Sequence, residues 1–262
     1  MTAAGQSGGQ PQSQAAPKKL EAVIYLSSDR PLHLPDFFAE FHRNWPQVSL
    51  EKTGKELHRA FFRTGRSEFA LELHHAPVPH GITDAVAEST LHWPGAAAAL
   101  SRHVAYIEVS GTATGKAVLT LGCDLTRAIA SLLPVTDSLA VCWLRGPALN
   151  RAKIFVSTAC EILPTGLYPL TLWVAARWDA DAHTLSTHGM GQFDAPEILL
   201  AQQPDSAPLM VDYLFQLALS LLSSQHPIAE GDTVNGPHGR LKISRGQSVQ
   251  MGRNVLILDP TR

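Results

Sequence analysis

The chain has 262 residues, of which 45% are hydrophobic and 17% are charged, and its formal net charge at pH 7 is −2. This composition provides a substantial core, and the balanced charge excludes the basic surface of a typical nucleic-acid-binding protein. The chain has three widely spaced cysteines, Cys123, Cys142 and Cys160. An odd and sparse number of cysteines argues against a disulfide framework, so we expect a cytoplasmic protein. We expect Cys142 to be a buried apolar residue.

The N-terminal segment, residues 1–19, consists mainly of Gly, Gln, Ser, Pro and Ala. It lacks the continuous apolar run of a secretory signal. Its composition is typical of a disordered leader. We therefore expect the folded part of the chain to begin at residue 20.

The first half of the chain, residues 20–102, is predicted to contain strands and helices in alternation. Phe37, Phe41 and Trp45 recur at helical spacing, and Pro35 lies in the first turn, where its missing N–H costs little. The predicted elements are, in chain order, strand 21–26, helix 34–45, a hairpin of strands 60–63 and 68–74, a Pro- and Gly-rich connector at 76–83, and weakly helical segments at 84–91 and 95–102.

The second half, residues 103–262, begins with HVAYIEVS, which resembles the earlier strand EAVIYLSS. The predicted elements are strand 103–110, helix 116–133, strand 138–144, helix 147–162, strands 170–178 and 183–188, helix 207–222, and short strands at 239–244 and 254–258. The apolar stretch 209–222 is interrupted by Asp212 and is shorter than the about 20 residues that cross a bilayer. We expect no membrane partner.

The order strand–helix–strand–strand–helix is therefore encountered twice. This order predicts an α+β protein made of two ferredoxin-like α/β sandwich halves, residues 20–102 and 103–262, with a C-terminal hairpin in the second.

A glycine-flanked loop after the predicted strand 183–188 gathers polar residues within a short segment. His188, Asp194 and Glu197 are of the types that carry protons in acid/base catalysis, and Asp212 and Asp232 would join them if the fold brings them near. These residues are the candidates for a hydrolase or proton-transfer enzyme with a cleft near residues 187–197.

A structural interpretation of the same loop is favoured. Asp194 would cap a short helix that opens at Pro196, and Glu197 would lie in its first turn, where a negative charge is favourable. Met190 and Phe193 would pack beneath that cap. In this interpretation the loop holds the scaffold and performs no catalysis.

The spacing of glycines and histidines argues against a phosphate-binding loop and against a metal site. The stretch Ser110–Val118 is not a phosphate-binding loop, because its glycines enclose three residues instead of four and Ala117 replaces the hydroxyl that binds magnesium. The twelve histidines include no pair four apart on a helix, and His183 and His188 point to opposite faces of a regular strand. We expect no metal site and no cofactor.

Aromatic residues supply the candidates for contact with a partner. Trp143 and Trp173 lie in apolar segments and are predicted to be core residues. The predicted contact residues lie nearer to loops; they are Trp93, Trp178, Met190 and Phe193.

The segments LTLWVAARW, TLSTHGMGQFDAPEI, VDYLFQLALSLL and EGDTV resemble an uncharacterised bacterial family described as domain of unknown function 4261. The resemblance covers residues 22–258, and His188 departs from it, since an apolar residue is expected there. Its most specific residues are Leu172, Trp173, Thr187, Gly189, Met190, Phe193 and Glu197.

No reaction is established for this family, so the resemblance implies none for this chain. Bacterial proteins of this size often accompany secreted toxins, so the resemblance implies an immunity or adaptor protein. With no nucleophile, metal or phosphate pattern, the sequence favours a non-catalytic protein-binding module with a protein partner, and the enzyme described above is the alternative.

Overall fold

The computed structural model describes residues 17–56, 58–65, 67–79, 86–87, 90–113, 117–201, 207–223, 230–237, 239–248 and 253–261. Within them the chain forms two β-sheets and six α-helices, which confirms the α+β class. The predictions for residues 1–16, for Lys116, and for half of the weakly helical segment 84–91 lie outside the described residues. The leader was predicted to extend to residue 19, but the first strand begins at Lys18 because Leu20 is already buried.

Seven antiparallel strands form the first sheet. They are β1 (Lys18–Leu26), β2 (Glu51–Lys55), β3 (Arg59–Thr64), β4 (Ser67–His74), β5 (Ala105–Ala113), β6 (Ser138–Trp143) and β7 (Ala148–Arg151). Their order across the sheet is β2–β3–β4–β5–β1–β6–β7. The predicted β3–β4 hairpin is confirmed.

The two predicted ferredoxin-like halves are not confirmed, because this sheet continues across residue 103. β1 pairs with β5 over its whole length and with β6 on its other side. Leu20 and Ile24 face one side of β1 and Val23 and Tyr25 the other, and all four are buried. A strand apolar on both faces belongs in the middle of a covered sheet. EAVIYLSS and HVAYIEVS are thus alike because they form the two central strands of one sheet.

Six helices surround the sheets. They are α1 (Leu34–Asn44), α2 (Ala96–Leu100), α3 (Ala117–Leu132), α4 (Ala152–Ile162), α5 (Leu170–Trp173) and α6 (Ala207–Ser223). α1, α3 and α4 contribute to the large core on one face of the first sheet, whereas α2 covers Tyr25 and Cys142 on the other face. Residues 117–135 are long and apolar enough to cross a membrane by composition, but 67% of that stretch is buried inside the protein.

The second sheet has six strands. They are β8 (Ala175–Asp179), β9 (Thr184–His188), β10 (Glu197–Leu200), β11 (Thr233–Gly236), β12 (Gly239–Ser248) and β13 (Arg253–Pro260). Their order is β11–β12–β13–β10–β9–β8, in which only β10 and β13 are parallel. The predicted C-terminal hairpin is confirmed as β12–β13. α6 packs on this sheet through Leu214 and Ala218, in the same core as the first sheet.

Three predicted elements are wrong, and in two of them strand pairing outweighs the local pattern. The strand 170–178 begins as the short helix α5 after Pro169 and becomes extended only from Val174. The helix 147–162 begins with β7, which pairs with β6. The helix expected to open at Pro196 does not form, since Glu197 begins β10 between β9 and β13.

Candidate functional site

The loop between β9 and β10 is built around the carboxylate of Glu197, which is 2% exposed. Its Oε1 accepts hydrogen bonds from the backbone N–H of Gly189 at 2.9 Å and of Gly191 at 3.4 Å. Its Oε2 accepts from Thr187 Oγ1 at 2.8 Å and from the N–H of Met190 at 3.2 Å. Four donors of the same chain therefore surround one buried carboxylate.

Local backbone geometry turns these N–H groups inward. Gly189 has φ of +122°, a value that favours glycine. The 3₁₀ turn Met190–Phe193 follows directly, and successive N–H groups in such a turn form a concave site for an anion. In this protein the side-chain carboxylate of Glu197, the first residue of the next strand, occupies this site.

A second chain of hydrogen bonds fixes the same loop to the first sheet. Trp143 Nε1 donates to Gln192 Oε1 at 2.8 Å, and Gln192 Nε2 donates to the carbonyls of Gly189 at 2.8 Å and Trp173 at 3.1 Å. Trp173 Nε1 donates to Thr126 Oγ1 at 2.7 Å. Trp143 and Trp173 are both buried, as predicted, and their indole N–H groups have partners.

The other catalytic candidates do not converge on Glu197. Thr187 and His188 are consecutive in β9 and direct their side chains to opposite faces. Asp194 is on the surface, where its carboxylate pairs with Lys18. Asp212 is exposed on α6 and lines a different part of the protein, and Asp232 is exposed just before β11. The predicted acid/base group is thus dispersed.

One polar contact was missed by sequence reasoning. Ser186 Oγ lies 3.2 Å from His188 Nε2. The two residues are two apart in β9, so their side chains share a face of the strand. A Ser and a His in hydrogen-bonding distance are the pair from which a nucleophile and its base are built. The spacing of two within the predicted strand 183–188 is the signal that could have found this pair.

Three of the four predicted contact residues are in the core. Met190 is 0% exposed, and Trp93 and Phe193 are 7% exposed. Trp93 packs under the guanidinium of Arg151, 5.1 Å from its ring. Their side chains pack within the scaffold, and their contact with a partner stays a prediction. Trp178 is half-buried on β8, and its role stays a prediction.

The structure presents a cleft that the sequence did not indicate. It lies between the terminal strands β7 and β8 and has a volume of about 250 Å³. We call it the β7–β8 cleft. The residues that line the cleft include Leu91, Leu149, Asn150, Ile154, Asp212 and Phe215. Leu91 and Ile154 belong to the few large hydrophobic residues that are well exposed, at 39% and 51%.

The two terminal strands meet at one end of the cleft. The N–H of Ala175 donates to the carbonyl of Gly146 at 2.9 Å. A Cβ on Gly146 would overlap the carbonyl oxygen of Trp173, and a Cβ on Gly189 would overlap Gly146 in turn. Only glycine allows this approach of the two backbones. The cleft opens beyond this junction.

A larger depression, of about 340 Å³, lies on the outer face of the first sheet. Its cations are neutralised in part by neighbouring carboxylates, since Lys19 pairs with Glu21 along β1 at 2.6 Å and Arg59 pairs with Glu72 across β3 and β4 at 3.6 Å. Such pairs are typical of a solvated face of an antiparallel sheet. It carries no functional argument.

Burial disfavours the thiolate form of each cysteine in the folded protein. Burial raises the pKa of the Cys142 thiol to about 12 and that of Cys123 to about 11. Cys160 is exposed on α4, although partial burial raises its pKa too. Within the described ranges, no three His, Cys, Asp or Glu side chains come close enough together to hold a metal ion.

Comparison with known proteins adds no relative. No family model, curated protein or solved structure matches the chain. The resemblance to the uncharacterised family therefore stays a prediction.

Proposed function

We propose that the protein is a non-catalytic protein-binding module. The observation that supports this most is the state of Glu197, the carboxylate at the centre of the predicted catalytic loop. It is buried and already accepts four hydrogen bonds from its own chain. A general base needs a free position within reach of the proton that it removes. Glu197 offers none, and its effect is to hold the loop in place.

Surface chemistry supports binding. The β7–β8 cleft exposes Leu91 and Ile154 beside the apolar side chains of Leu149 and Phe215. Its volume of about 250 Å³ is below the ~300–1,000 Å³ of ordinary small-molecule pockets. A shallow apolar cleft of this kind suits side chains of another polypeptide better than a cofactor.

The narrower expectation from the sequence is an immunity or adaptor protein that accompanies a secreted toxin in a bacterium. It is one form of this proposal. A gene for a toxin or a secretion component beside the gene for this chain would favour it. The absence of such a neighbouring gene from several related genomes would argue against it.

The proposal is tested by co-purification after mild crosslinking in the cells that make the protein. We expect one partner in stoichiometric amount with the wild type and with His188→Ala, because no chemistry at His188 is required. Recovery of no stoichiometric partner by the folded protein would contradict the proposal.

The alternative is a hydrolase or proton-transfer enzyme, and the Ser186–His188 contact at 3.2 Å is the observation that favours it. In that case Ser186→Ala and His188→Ala would each abolish turnover of an ester or amide substrate while the melting temperature stayed close to that of the wild type. Turnover retained by both variants would exclude this pair as the catalytic group.

A further inference from the structure

We propose that the β7–β8 cleft binds an extended peptide, which adds to β8 as a new strand and places a lysine or arginine against Asp212. This inference rests on the proposed function and deepens it, since it names the chemistry of the partner.

β8 has a free edge. Among the described strands it is the last in its sheet and pairs with β9 alone. Ala175 directs its N–H away from β9, toward Gly146. In an antiparallel ladder every second residue faces the same way, so Arg177 also presents its N–H and C=O outward. Apart from the Ala175 contact, these outward groups have no hydrogen-bond partner in the described part of the chain.

The opposite wall is also a free strand edge. Within the described part of the chain β7 pairs with β6 alone, and it is the last strand of the first sheet. β7 has four residues and runs directly into α4, whereas β8 has five and ends in a turn. β8 is therefore the longer template for a strand from a partner. Exposed edges of this kind are the usual sites of peptide addition.

The side chains of the cleft specify the peptide further. Ile154 and Leu91 are exposed on its rim, and Phe215 and Leu149 lie deeper, so alternate positions of the peptide should be apolar. The Nδ2 group of Asn150 is buried without a hydrogen-bond partner, and its N–H is available to a peptide carbonyl.

The charge of the cleft specifies one further residue of the peptide. Among the described residues that line the cleft, Asp212 is the only acidic one, and none is a lysine or arginine. Among the described residues Asp212 forms no ion pair. An exposed carboxylate beside an apolar strip attracts a cationic side chain from a partner. The occupant is thus an apolar, extended segment that carries a lysine or arginine.

The probe is a library of random twelve-residue peptides displayed on phage and selected against the full chain. We expect selected peptides to have alternating apolar residues and a shared Lys or Arg. Synthetic copies methylated at single backbone nitrogens should lose binding at every second position, since strand addition uses alternate N–H groups. Failure to enrich any peptide, or loss of binding without this alternation, would overturn the inference.

A charge swap locates the peptide. Asp212→Lys should weaken binding at least tenfold, and a peptide with Glu in place of its Lys or Arg should recover most of that loss on this variant only. Asp29→Lys is the matched control, because Asp29 is also exposed and lies outside the cleft. Equal effects of the two substitutions would place the peptide elsewhere and overturn the inference.

Two further outcomes separate this inference from the proposed function. If the cellular partner is recovered equally well by the wild type and by Ile154→Glu, the protein-binding function stands and the cleft is not its site. If sedimentation finds a wild-type dimer that Ile154→Glu makes monomeric, a second copy of the chain occupies the cleft and the peptide inference is wrong. Leu167→Glu is the control for both, since Leu167 is 46% exposed and does not line the cleft.

Discussion

Replacement of Glu197 by Gln tests whether the carboxylate holds the loop together. The substitution keeps the size of the side chain, but one of its two oxygens becomes an NH₂ group. In either amide orientation two of the four donors that now bind Glu197 lose their acceptor. Each buried donor left unpaired costs ~1–3 kcal/mol, and the Gly191 contact at 3.4 Å counts least.

We therefore expect Glu197→Gln to lower the free energy of unfolding by about 2–4 kcal/mol. For a chain of this size each kcal/mol corresponds to a shift of ~2–4 °C, so the melting temperature should fall by about 5–15 °C. Thermal and urea unfolding followed by far-UV circular dichroism measure both quantities. The added amide donors also face N–H groups, so partial rearrangement of the turn is expected.

The matched control is Glu161→Gln, because Glu161 is exposed on α4 and undergoes the same chemical change. Its melting temperature should stay within about 1 °C of the wild type, as surface substitutions usually do. If Glu197→Gln behaves like the control, the carboxylate does not stabilise the loop, and the argument against a catalytic Glu197 loses its main support.

Three further predictions concern the interior. Gly146→Ala should strongly destabilise or unfold the protein, because a Cβ overlaps the carbonyl of Trp173, and the yield of soluble folded protein measures this. Thr126→Val should cost about 1–3 kcal/mol in urea unfolding, because the buried indole N–H of Trp173 loses its acceptor. Cys160 should be the first thiol to react with a maleimide at pH 8, whereas Cys142, with a pKa raised to about 12, should react only on unfolding.

Each of these has a control. Gly95→Ala places a Cβ in ordinary contact 3.8 Å from the Trp93 ring and should be tolerated. Thr165→Val removes an exposed hydroxyl and should cost far less than Thr126→Val. Cys160→Ser should abolish fast labelling. Fast labelling that survives in Cys160→Ser, or a Gly146→Ala protein as stable as Gly95→Ala, would contradict the packing described here.

The long helices α1 and α3 and the β3–β4 hairpin could be predicted because their signals are local. The aromatic stripe of α1 and the apolar alternation of β3 and β4 lie within a few residues of one another. Non-local pairing could not be predicted. β1 and β5 look like the first strands of two similar units, and only their mutual pairing distinguishes one sheet from two.

The candidate site could likewise be predicted only in part. The sequence predicted that the polar residues of the 187–197 loop hold the scaffold, and Glu197 does so, but as the first residue of a strand and not in a helix. Gln192 carries the connection to Trp143 and gave no signal, since an amide between a glycine and a phenylalanine is ordinary. The β7–β8 cleft arises between strands distant in sequence, so no local pattern indicates it.

The parallel pairing of β10 with β13 has a consequence for synthesis. Glu197 and Leu200 pair with Val255 and Leu258, which lie far from them along the chain. A ribosome must therefore release the chain as far as these residues before the second sheet can close. Until then the apolar edge of β10 lacks this neighbour, so a nascent chain that stalls before Val255 is open to aggregation and to capture by chaperones.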